Sequence, residues 1–85
     1  MLHGALHALQ LNERDIKITF SEYGPSGALK AQRFYSRESL SAFLTNRVRL
    51  THDAEKNLMN QLASEHSGSI PDIYLTEEQR REFGL

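Results

Sequence analysis

Cysteine and tryptophan are missing from the 85 residues, proline occurs only twice, and no long apolar run is present. Without cysteine the chain has no disulfide framework, no thiolate metal ligand and no thiol nucleophile. The apolar stretches fall far short of the ~20 residues that a membrane-spanning helix needs. The opening residues, interrupted by His3 and His7, also lack the basic and apolar regions of a secretory signal. These absences make a cytoplasmic chain with no membrane partner the expectation. Excess charge of one sign is absent too, the net charge being −1. The 39% apolar content at that charge favours a folded chain over a disordered one. At this length one small domain is expected over residues 1–85, with a modest core that gains from association.

The near-neutral total hides an asymmetry. Residues 14–49 carry seven Lys or Arg against three Asp or Glu, and residues 50–85 carry the reverse, so the two segments hold +4 and −4. Such segments can attract each other within the fold, across subunits, or through separate partners.

Ile16, Ile18 and Phe20 alternate with Lys17, Thr19 and Ser21, which predicts a half-buried strand over about 15–23. The glycines and proline of 24–27 predict a turn, and Leu29 to Tyr35 a return strand, giving a β-hairpin over 15–35. Residues 1–11 suit either a further strand, completing a three-stranded meander, or a short helix. Ser36 is placed to cap a helix over about 37–49, in which Leu40, Phe43, Leu44 and Val48 recur at helical spacing. Thr51 or Asp53 caps a second helix carrying Leu58 and Leu62, with Gly68 as its stop, so that 37–67 forms a helical hairpin. Residues 69–75 read as an edge strand because of Pro71, and Thr76 with Gln79 forms a capping-box pattern for a last helix, which Gly84 ends and Phe83 and Leu85 dock. The expected class is α+β: a small antiparallel sheet packed against a helical hairpin, with a short C-terminal strand and helix over 69–85.

Chemical motifs are sparse. His3 and His7 would share a helix face, but no carboxylate occurs before Glu13 to complete a zinc site. Thr51, His52, Asp53 and His66 supply the letters of a hydrolase without the strand-turn-helix context of a nucleophile, and Ser67-Gly68-Ser69 is a helix stop. Residues 24–27 lack the Gly-Lys-Ser/Thr ending of a phosphate loop. No catalytic residue, metal site or cofactor is therefore expected.

A helical wheel puts Arg47 and Glu55 inside the apolar stripes of their helices, on either side of the turn near Thr51. An Arg47–Glu55 ion pair across the hairpin follows as an expectation. The favoured function is a non-catalytic protein-interaction module that self-associates, most simply as a homodimer. Phe34 or Tyr35 on the sheet, Tyr74 at an edge, and Arg33 and Arg37 as a charged rim are its expected contacts. The alternative is a regulatory nucleic-acid binder using Lys17, Lys30, Arg33, Arg37 and Arg49 of the basic 14–49 segment, with Phe34 or Tyr35 stacking on bases. A third reading places a small molecule between sheet and helices, where Ala31, Ala42 and Ala63 leave room.

Overall fold

A computed structural model describes residues 2–24 and 29–85, without the side chains of Leu29 and Lys30. Strands β1 (Leu2–Gln10), β2 (Ile16–Glu22) and β3 (Leu29–Tyr35) are followed by helix α1 (Arg37–Ala42) and a π-helical turn (Phe43–Arg47). Helix α2 (His52–Glu65), strand β4 (Ser67–Leu75) and helix α3 (Glu77–Glu82) complete the order. The strands form one antiparallel sheet in the order β3-β2-β1-β4. This is the expected α+β class. Most of the turn expected at 24–27 lies outside the described residues.

Residues 1–11, open to two readings, contribute a strand. Gly4, Leu6 and Ala8 alternate with His3, His7 and Leu9, and that period of two lets one set line the core. Leu6 sits opposite Phe20 on β2 and Ile70 on β4, which makes β1 a central strand. The link to β2 is locally encoded: the Asn12 Oδ1 accepts from the backbone N–H groups of Arg14 at 2.8 Å and Asp15 at 2.9 Å.

The Ser36 hydroxyl accepts from the Ser39 N–H, and the Ser39 hydroxyl accepts from the Ser36 N–H, so α1 starts on a reciprocal cap. The helix expected to run to residue 49 departs from α geometry at Phe43. There the Val48 N–H donates to the Phe43 carbonyl five residues back, at 2.9 Å. The wider turn keeps Phe43, Leu44 and Val48 buried while altering the direction of the residues between them.

Thr51 caps α2, accepting from the Ala54 N–H. The helix stops at His66 and not at Gly68: His66 takes the left-handed conformation at φ 62° and its N–H returns to the Leu62 carbonyl. Gly68 lies inside β4 instead. A Cβ there would stand 2.7 Å from the Gln61 Cβ and 3.1 Å from the Leu58 Cδ1, so glycine is what lets α2 lie against the strand. β4 consequently begins earlier than expected, and its pairing with β1 shifts between Gly4 and Leu6, opposite Pro71 and Asp72.

The capping box at Thr76 and Gln79 forms as expected. Phe83 is 2% exposed and meets Phe43 edge-on at 5.2 Å, while Leu85 packs against the same core. One apolar cluster joins the inner face of the sheet (Leu6, Ala8, Ile16, Ile18, Phe20, Ala31) to the helical layer (Leu40, Leu44, Leu58, Leu62, Phe83). Among the described residues no helix is long and apolar enough to cross a membrane.

Candidate interaction surface

The two edges of the sheet differ. At β4 the Gln61 side chain from α2 acts as a substitute strand: its Nε2 donates to the Ser69 carbonyl at 3.2 Å, and its Oε1 accepts from the Ser69 N–H at 3.0 Å. Further along that edge Pro71 has no N–H to offer, and the Asp72 N–H is taken by the Tyr23 hydroxyl at 3.3 Å. Proline, a bulge and a covering side chain are recognised ways of blunting an edge. β3 has a bulge at Lys30, where its pairing with β2 skips from Ala31 to Leu29, but no proline and, among the described residues, no covering side chain. Among the described residues no side chain bonds the outer backbone of β3, and Phe34, 56% exposed, stands on it.

Strand alternation separates Phe34 from Tyr35. Tyr35 turns towards the helical layer and stacks on Phe43 with ring centroids 4.7 Å apart. Beside it a cleft of about 620 Å³ opens between β3, the π-helical turn and α3, lined among others by Arg33, Phe34, Tyr35, Asn46, Arg47 and Glu82. The guanidinium of Arg33 lies across Gly84, where a Cβ would collide with its Nη2. Burial pushes the Tyr35 phenol above its ordinary pKa; Arg33 pulls it down, Glu82 pushes it up and Arg47 pulls it down, with burial prevailing.

Arg47 is not paired with Glu55. Its Nη1 lies 3.4 Å from the Glu82 Oε2, and its side chain is 67% exposed, while Glu55 accepts from the Ser41 hydroxyl at 2.7 Å. The expected pair presumed α-helical rotation through residue 47. The π-helical turn rotates the chain less per residue, so Arg47 leaves the apolar stripe and meets α3.

Other expected residues are dispersed. Arg37 donates to the Gln10 Oε1 at 2.8 Å. Tyr74, 59% exposed, stacks on the His3 ring at 4.2 Å, at the far side of the sheet from Phe34. Of the expected nucleic-acid residues, Lys17 lines a surface hollow with His7, Thr19 and Gln32, Arg33 the β3 cleft, and Arg49 the gap beside Ile70 and Tyr74. The Lys30 side chain is outside the described set. The basic segment therefore does not gather these described side chains into one patch.

Sequence reasoning weighed His3 only as a zinc ligand on a helix and missed its actual contacts: Tyr23 meets its ring edge-on at 4.7 Å, and its Nε2 lies 3.2 Å from the Asp72 Oδ1. On a strand His3 and His7 share a face but stand roughly 13 Å apart, beyond the reach of one ion. No metal-holding group of His, Asp and Glu occurs among the described residues. His52 and His66 lie at opposite ends of α2, about 21 Å apart along its axis. The expected gap for a small molecule between the layers is not formed by the alanines named: Ala31 is part of the core, and Ala42 and Ala63 are exposed. Gln61, Asn46 and Glu82 were also missed, and only their nearness in space marks them.

Compared with known proteins, the chain matches no family model, no curated protein and no solved structure.

Proposed function

We propose that this chain is a non-catalytic interaction module that associates with a second copy of itself through the outer edge of β3. The observation that carries the reading is the contrast between the edges: β4 is closed by Gln61, Pro71 and the Asp72–Tyr23 contact, whereas the regular part of β3 beyond its bulge, Ala31 to Tyr35, is covered by no side chain among the described residues and has Phe34 beside it. An open edge offers a row of backbone donors and acceptors to a like strand, and a twofold axis lets β3 of each copy satisfy the other. Arg33 and Phe34, expected as contacts, lie on this strand. Arg37 and Tyr74 lie away from it and are not part of the proposed contact.

The test is sedimentation equilibrium of the wild-type chain beside Gln32→Lys and Phe34→Lys, which place charge on the edge without touching the core. A wild-type dimer, with both variants monomeric and their circular dichroism unchanged, is the expected result. A strictly monomeric wild type at millimolar concentration, or variants that dimerise as well as wild type, would overturn the reading.

A further inference from the structure

The β3 cleft shares Arg33 and Phe34 with the pairing strand but adds features that edge pairing does not use. It lies between the edge of β3 and the helical layer, with Arg33 and Tyr35 lining it from the inner face of the strand and Phe34 from the outer one, and its volume of about 620 Å³ falls in the range of small-ligand sites. One wall is the π-helical turn, which supplies Phe43, Asn46 and Arg47. Such insertions sacrifice regular helical bonding and occur frequently at functional sites.

The charges do not balance within the cleft. Arg33 forms no ion pair among the described residues, and Arg47 is held only by the long, exposed contact to Glu82. Two guanidinium groups thus face one carboxylate. The Tyr35 phenol, protonated at neutral pH by its ordinary pKa of about 10 and raised further by burial, can donate a hydrogen bond to an acceptor beside it. The apolar part of the cleft is aromatic: Tyr35 and Phe43 stack at the base, and Phe34 presents an exposed ring at the mouth.

We propose that this cleft binds a small aromatic oxyanion, a ring carrying a carboxylate or a phosphate, with Arg33 and Arg47 on the oxyanion and Phe34 against the ring. A planar guanidinium matches either oxyanion with paired N–H donors. Glu82 is an internal competitor, a carboxylate that occupies Arg47 until the ligand displaces it. The edge pairing is a separate matter: Gln32 does not line the cleft, so Gln32→Lys provides a second background in which pairing is blocked and the cleft intact.

The experiment is a titration of the ¹⁵N-labelled chain, followed by amide chemical shifts, with phenyl phosphate, benzoate, inorganic phosphate and the neutral benzyl alcohol. Phenyl phosphate or benzoate should produce saturable millimolar shifts at Arg33, Tyr35, Asn46 and Arg47, in the wild type and in Gln32→Lys alike. Whichever of the two binds more tightly identifies the oxyanion. Inorganic phosphate should bind more weakly, and benzyl alcohol should not saturate. Arg33→Gln should weaken binding about tenfold. Glu82→Gln should tighten it by roughly three- to tenfold, a gain that a structural role for Glu82 would not produce. Absence of saturable shifts with both ring-bearing anions would overturn the proposal, as would inorganic phosphate binding equally well or Glu82→Gln weakening the interaction.

Discussion

Gln79 uses both ends of its amide. Its Oε1 accepts from the Thr76 N–H at 2.8 Å, closing the capping box, and its Nε2 donates to the Val48 carbonyl just beyond the π-helical turn. The first contact is local and was legible from the spacing of Thr76 and Gln79. The second spans 31 positions and was not. Gln79→Ala should cost roughly 1–2 kcal/mol in urea unfolding, because it removes a cap contact and leaves a carbonyl unpaired. Gln79→Glu should recover only the cap, since a carboxylate accepts from Thr76 but offers nothing to Val48. Tyr35 gives a second residue-scale expectation. Its folded pKa is raised, so the unfolded chain releases the phenolic proton at lower pH than the native one. The stability this contributes is complete below the unfolded value of about 10 and is lost as pH rises through the folded value. Tyr35→Phe should therefore show a shallower fall in stability above pH ~10 than wild type, measured by denaturant titration across that range.

At the scale of elements, local chemistry made most starts and stops readable. Ser36 and Thr76 cap the helices they were expected to cap, and of Thr51 and Asp53 it is Thr51 that caps α2, because each cap needs only a side-chain oxygen and the N–H three residues ahead. The misreadings arise where a distant neighbour decides. Gly68 looks like a helix stop, yet the close approach of Gln61 and Leu58 is what requires its missing side chain. Gly68→Ala should destabilise the fold by about 1–3 kcal/mol by overpacking α2 against β4, read as a lower denaturation midpoint. Gln61 looks like an ordinary polar helix residue, and its role in closing an edge exists only because β4 runs alongside. Gln61→Ala should leave the helical circular dichroism intact while opening a second edge, so higher-order association in sedimentation velocity is the expected result.

For the whole molecule, stability rests on one apolar cluster shared by sheet and helices. A chain of this size has a total of roughly 4–13 kcal/mol to lose. Leu58 is fully buried where α2 meets the sheet, and Leu58→Ala should remove about 2–5 kcal/mol of that total, enough to leave part of the chain unfolded near 37 °C. Thermal unfolding followed by near-ultraviolet circular dichroism checks it. The charge asymmetry also acquires a location. Arg47 of the basic segment reaches Glu82 of the acidic one, but Arg80 turns to Glu77 within its own segment, so the two segments do not simply neutralise each other.

By itself the sequence determined the α+β class, the β2–β3 pairing, the helix caps and the separation of Phe34 from Tyr35. Each depends on alternation, spacing or capping between near neighbours. Only the tertiary structure decided that β1 lies between β2 and β4, that the Gln61 side chain covers the β4 edge, and that Arg47 faces Glu82 instead of Glu55. Those outcomes come from pairings between residues tens of positions apart and from one helical turn that left α geometry. Periodicity along the chain carries no record of either, because it describes which face a residue takes and not which distant segment that face will meet.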